Sequence, residues 1–206
     1  MLYLSFYWFS FVCVLSRSPR LAVTNRGYFF RQVIYITTDY IVAEAMEQVL
    51  GILMPSNRLV MRVILHTGLR VSDVLRLQPT QVKRQFYVTE AKTGKRRRVN
   101  LPDSLVRDLL EQSGSRYVFP HRTDPNRHRT RQAVWADVKR AARAYRLEEN
   151  VGTHSARKVY AVDLMRRYGD IDRVRRALNH DSDMVTMLYA MADSLVRQKY
   201  GRRRSR

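Results

Sequence analysis

The chain has 206 residues, 45% of them apolar, with 38 Lys and Arg against 18 Asp and Glu and a formal net charge of +20. That length supports one domain with a single substantial core, and the apolar share excludes a disordered polycation. A charge excess of this size calls for a polyanionic partner: nucleic acid first, a membrane surface second, a ribosomal-type structural role third.

Residues 1–36 read as an ill-defined arm with four arginines and no acid. Its first part, Leu2 to Leu15, is apolar and aromatic but too short for a firm bilayer span, and its first cations, Arg17 and Arg20, follow it rather than lead it. A membrane anchor is therefore the weaker reading. A packing or partner-docking helix, or an early start codon, is the stronger one. The single cysteine, Cys13, forms no internal disulfide, and no Cys/His spacing points to zinc. Both facts fit a reducing cytoplasm.

The folded domain is expected over 37–196. Thr38 is a predicted N-cap for a helix carrying Ile41, Ala45, Val49 and Ile52 on one face. Pro55 and Ser56 start a second helix, with Leu59, Val60, Val63 and Ile64 inward, which Thr67 and Gly68 break. Ser72 can cap a short third helix through Leu75 and Leu77. Phe86 to Ala91 and Arg96 to Leu101 read as two strands of a hairpin around a Lys92–Lys95 turn with Gly94. Pro102 and Asp103 open a helix with Leu105, Leu109 and Leu110. A basic loop, 116–129, precedes a helix from Thr130 with Val134, Trp135, Val138, Ala141 and Ala142, where Trp135 is read as helix packing. The helix after His154 is apolar almost all round and is expected to be central. Asp170 can cap the next helix, with Ile171, Val174 and Leu178 inward. Residues 197–206 form a basic tail with six Lys and Arg. The fold class is α+β: a mainly helical domain with a small antiparallel sheet.

Six residues stand in ordered local frames. Arg70 closes His66-Thr67-Gly68-Leu69-Arg70, and Lys92 opens Lys92-Thr93-Gly94-Lys95. His154 and Arg157 share one helical turn, so both can face the same phosphate. His180 follows Leu178 and Asn179, and Tyr189 lies nine residues later. Taken singly, each has a plain structural reading. Arg70 can cap a helix or pair with Asp73, Lys92 can be a turn lysine, His154 a capping or core-edge residue, His180 a helix end, and Tyr189 a packed aromatic.

Their joint order resembles the tyrosine recombinase, or phage integrase, family over roughly 38–193. Thr67-Gly68-Leu69-Arg70-Val71-Ser72-Asp73 is similar to its first arginine box, and Lys92-Thr93-Gly94-Lys95 to its hairpin lysine. His154-Ser155-Ala156-Arg157 is similar to its H-x-x-R box, and Leu178-Asn179-His180 to its L-G-H box. Ala156 stands where leucine is usual, and Asn179 where glycine is usual. The chain leaves no room for the family's N-terminal DNA-clamping domain, so it is closer to the short members with a catalytic domain only.

The resemblance implies catalysis by Arg70, Lys92, His154, Arg157, His180 and Tyr189. Planar, permanently charged guanidiniums suit the non-bridging oxygens of a scissile phosphate. By resemblance, Lys92 donates a proton to the leaving 5′-oxygen, His154 does acid/base work toward Tyr189, and His180 hydrogen-bonds the phosphate. The product is a 3′-phosphotyrosyl link that keeps the bond energy, so no cofactor and no metal are expected. Lys95, Arg96, Arg122, Arg127, Arg129, Thr130 and Arg131 are candidate DNA contacts, with a solvated charged surface as the alternative. The expected partners are duplex DNA, a homo-tetramer on paired sites and an accessory DNA-bending protein, with no small-molecule substrate, in the cytoplasm. A non-catalytic DNA-binding regulator of the same fold, a type IB topoisomerase and an RNA-associated protein stay open as rivals.

Overall fold

The computed structural model describes residues 38–178, which lie in one compact unit that begins at Thr38. The expected arm, the basic tail, Asn179, His180 and Tyr189 lie outside the described residues.

Seven helices and one hairpin are present among the described residues. They are α1 (Ala43–Gly51), α2 (Pro55–Thr67), α3 (Val71–Leu75), β1 (Gln85–Thr89), β2 (Arg96–Asn100), α4 (Asp103–Glu111), α5 (Arg131–Ala144), α6 (Thr153–Tyr168) and α7 (Ile171–Leu178), with a 3₁₀ turn over Pro79–Gln81. The strands pair antiparallel with Phe86 opposite Val99 and Tyr87 opposite Arg98. Phe86, Val88 and Val99 face the core while Tyr87 faces out, as a period of two requires. The α+β architecture expected from the sequence is the one observed.

α2 is the central helix. It packs against α1, α3, α4, α5, α6 and β2, because Val60, Met61, Val63 and Ile64 are all fully buried on it. The main core runs from Tyr40 to Val162, and a smaller cluster of Ala161, Val174 and Leu178 joins α6 to α7. Three local readings of the sequence match closely. α5 starts at the expected Thr130, which proves to be its N-cap, the hydroxyl accepting from the Ala133 amide at 3.1 Å. Asp170 caps α7, its carboxylate accepting from the Asp172 and Arg173 amides. Gly94 turns the hairpin at φ +66°.

Three readings need correction. Thr38 does not cap α1, whose N-cap is Val42. The Thr38 carbonyl accepts from Lys158 and the Asp39 carbonyl from Ser155 Oγ. The Asp39 amide donates to Asn150, whose own amide donates to the Asp39 carboxylate. These bonds tie residues 38–39 to the start of α6, and the helix begins only beyond them. Ser72 does not cap α3 but lies inside it, one turn starting at Val71 with Arg70 at the N-cap. Trp135 is 51% exposed. It lies on the outer face of α5 with Lys139 over its ring at 5.8 Å, because Val134 and Val138 take the inner face. The helix after His154 is buried as expected, but only through Val162; its last turn is open to solvent.

The turn between α2 and α3 is the tightest joint. Gly68 sits at φ +63°, and a Cβ there would lie 2.4 Å from the Tyr160 ring. Gly94 has the same φ with nothing within 4 Å. Gly94→Ala therefore carries only the backbone cost of a left-handed residue, about 1 kcal/mol, whereas Gly68→Ala adds a ring clash and is expected to cost about 3 kcal/mol or more. Urea unfolding of the two variants checks the order; equal losses would contradict it.

Candidate active site

Arg157 leaves the second turn of α6 and is 4% exposed. Its Nη1 donates to the carbonyl of Gly68 and its Nη2 to the carbonyl of Leu178. The Gly68 carbonyl lies at the C-cap of α2, where unpaired oxygens and the helix dipole favour a cation; the Leu178 carbonyl belongs to the last described residue of α7. One side chain thus joins the first arginine box to the segment that leads into His180.

Arg70 follows two residues after Gly68, at the N-cap of α3. Its guanidinium pairs with Glu90, which is wholly buried, and not with Asp73. Asp73 is itself buried, and its Oδ1 accepts from the Ala91 amide at 2.9 Å. The box and the turn end of the hairpin are therefore bound twice, once between side chains and once from side chain to backbone. Glu90 also accepts from Thr93 Oγ1 at 3.1 Å and lies 3.5 Å from Arg97 Nη1. Removing one partner of such a buried pair costs on the order of 3–5 kcal/mol.

His154 stands at the solvent-facing start of α6. Partial burial of the ring lowers its pKa, and the charges of Arg157, Lys158, Arg70 and Arg131 lower it further. That set of charges puts His154 in the field of both arginines and of the start of α5. At neutral pH it is uncharged and able to accept a proton. Lys158 is also buried, and burial lowers its pKa against the opposing charge of Asp39. Tyr160 lies in the field of Arg97 and Arg157, but burial raises its pKa above the ordinary phenol value. It stays protonated with its ring against Gly68, and so makes a poor nucleophile.

The hairpin leaves Lys92 and Lys95 exposed on the turn. Arg96 stacks over Tyr87 at 4.3 Å. The basic loop is more ordered than a loop reading implies. Arg129 donates to the Phe119 carbonyl, His121 donates to that of Arg127, and Asp124 caps the tip at Asn126. Arg122 and Arg127 are exposed near that tip, Arg131 is exposed at the start of α5, and Arg129 is half-buried. Thr130 spends its hydroxyl on the cap of α5. Sequence reasoning missed Glu90, Arg97 and Lys158. Glu90 carries a legible signal, since it is the only acid between Asp73 and Asp103 in a stretch rich in Lys and Arg.

A model of the phage integrase family matches residues 40–195. The chain belongs to the phage integrase family. Among curated relatives it is similar to a probable integrase/recombinase, YoeC, of Bacillus subtilis (strain 168), at 34% identity over 135 residues covering 63% of this chain and 74% of the relative. It is also similar to the tyrosine recombinase XerD of Staphylococcus saprophyticus subsp. saprophyticus, at 23% identity over 158 residues covering 70% of this chain and 53% of XerD. The fold matches that of the XerH site-specific recombinase bound to palindromic difH substrate, with a TM-score of 0.63 and 21% identity, covering 80% of this chain and 53% of XerH. The integrase-family chain thus spans about half the length of XerD and XerH.

The lowered pKa of His154 has a definite sign in this integrase-family domain, and His66 shares it, through burial and then the charges of Arg62 and Arg167. Both folded-state values lie below the unfolded value of about 6.5. Stability is therefore complete above that pH and falls as pH drops below it, because the unfolded chain binds protons that the folded chain refuses. The urea midpoint is expected to fall between pH 7 and pH 5.5, and less steeply in His154→Gln. An unchanged slope in that variant would show that the ring is not held neutral.

Proposed function

We propose that the chain is a site-specific DNA recombinase that cleaves and rejoins duplex DNA through a 3′-phosphotyrosyl intermediate on Tyr189. One observation carries the reading: Arg157 is bonded to the turn that presents Arg70, and His154 lies in the field of both. Two guanidiniums and a neutral imidazole, drawn from one helix and the cap of another, would form a receptor for one phosphate. Arg70 and Arg157 would hold its non-bridging oxygens and follow the charge that grows in the transition state. A guanidinium has five N–H groups, so a pair with a carboxylate or a carbonyl does not exhaust it.

The other roles are assigned on the family pattern. Tyr189 attacks phosphorus, and the neutral His154 accepts its proton. Lys92, on the exposed turn, protonates the leaving 5′-oxygen, and His180 donates a hydrogen bond to the phosphate. The 3′-phosphotyrosyl bond stores the energy of the cleaved linkage, and attack by a 5′-hydroxyl reseals it. Lys95, Arg96, Arg122, Arg127, Arg129 and Arg131 would bind the flanking backbone, with Thr130 setting the start of α5 beside it. Recombining two duplexes cuts four strands, one tyrosine to each, so the working form is a homo-tetramer on paired sites, helped by a DNA-bending protein, in the cytoplasm. Among the described residues no helix is long and apolar enough to cross a membrane. Residues 1–36 are assigned as an arm and 197–206 as a basic tail.

The decisive experiment uses nicked suicide duplexes tiled across the DNA that flanks the gene. A covalent protein–DNA adduct is expected, and Tyr189→Phe is expected to abolish it while binding survives. Specific binding with no adduct from the parent on any duplex would support the regulator instead, and a preference for structured RNA would support the RNA-associated reading. If about 6–10 phosphates are contacted, affinity should fall ~10³- to 10⁵-fold between 50 and 200 mM salt.

A further inference from the structure

Glu90 is an anion in the last place a phosphate receptor would be expected to keep one. Its side chain is completely buried at the end of β1, next to the turn that carries Lys92. Three groups from separate segments converge on it: Arg70 at the cap of α3, Thr93 on the turn, and Arg97 on β2. The Glu90 backbone closes the same turn, its amide donating to the Lys95 carbonyl and its carbonyl accepting from Gly94.

A buried carboxylate carries a large desolvation cost unless cations and donors surround it. Here they do, and the arrangement works in both directions. Without an anion, Arg70 and Arg97 would repel each other: burial lowers the Arg97 pKa, the charge of Arg70 lowers it further, and Glu90 opposes both. The carboxylate removes that repulsion and fixes the azimuth of the Arg70 guanidinium. Through Thr93 it also fixes the turn. Arg70 and the Lys92 turn, which would serve the non-bridging and the leaving oxygens of one phosphate, are thus set in a single geometry by one side chain.

We propose that Glu90 is a positioning residue for the cleavage step, a buried carboxylate that pre-sets the Arg70 guanidinium and the Lys92 turn as one unit. The assignment rests on the recombinase reading above. It makes a specific demand. Glu90 touches no DNA, so it should influence the chemical step and leave affinity to the surface cations.

The test is single-turnover cleavage of the nicked suicide duplex by the full chain, with affinity measured separately on the same DNA. Glu90→Gln keeps the shape and loses the charge. It is expected to bind within about threefold of the parent, since phosphate contacts dominate affinity, and to cleave about 10- to 100-fold more slowly, the scale of a small misplacement of a reacting group. Glu90→Asp keeps the charge and should recover part of the rate. Thr93→Val removes the hydroxyl that donates to Glu90 and accepts from the Lys95 amide, leaving the carboxylate in place, and is expected to slow cleavage severalfold, up to about tenfold.

A folded Glu90→Gln that cleaves at the parental rate overturns the proposal. So does an equal loss of binding and cleavage, which marks a structural role. If Glu90→Gln does not fold, Thr93→Val decides: parental cleavage by that variant overturns the proposal, and slower cleavage at unchanged affinity upholds it. A parent that forms no adduct overturns the recombinase reading itself, and Glu90's role with it, so the two failures are told apart by the parent.

Discussion

Two hydrogen bonds from Arg157 hold the site together. They run from α6 to the Gly68 carbonyl at the C-cap of α2 and to the Leu178 carbonyl of α7, so a single guanidinium serves two buried carbonyls on separate helices. Buried carbonyls need partners, and a cation is the partner that helix ends favour. The consequence is positional. The turn that presents Arg70 and the segment that leads to His180 are both referred to the helix that carries His154. Gly68 makes the first of these contacts feasible, because its left-handed φ and missing Cβ admit the Tyr160 ring.

Charge is handled inside this domain with unusual thrift for so basic a chain. Arg157 and Lys158 are adjacent and both buried, and both spend donors on backbone carbonyls. Glu90 supplies the buried negative charge on the other side. The low-dielectric setting strengthens each of these bonds and raises the cost of leaving any partner unmatched. Burial, and then the same field of Arg157, Lys158, Arg70 and Arg131, lower the pKa of His154, so this basic corner of the domain holds its imidazole neutral.

Much of the fold was legible because it obeys local rules. The inward faces of α2 and α7 follow from apolar spacing, the start of α5 at Thr130 from the return of helical spacing, and the cap at Asp170 from a short carboxylate before a helical run. The hairpin follows from β-formers on either side of a glycine. The errors have one origin. Thr38 was read as a cap because its neighbours in sequence look like a helix start, but its carbonyl is claimed by Lys158, 120 residues away. Trp135 was read as packing because it is large and apolar, but only the packed neighbours decide which side of a helix faces the core. Arg70 was offered Asp73, the nearest acid in sequence, and took Glu90 instead, because a strand brought that carboxylate to it.

What the sequence determined by itself is the kind of chain this is: a basic, mainly helical domain whose spaced Arg, Lys, His and Tyr residues fall in the order of one family. Order and spacing are one-dimensional, and short-range rules convert them into helices, caps and a turn. What only the tertiary structure decided is which charges meet. Glu90 beside Arg70, and Arg157 between Gly68 and Leu178, are pairings between segments apart in the chain. They depend on which surfaces the core buries together, and no local pattern encodes that choice.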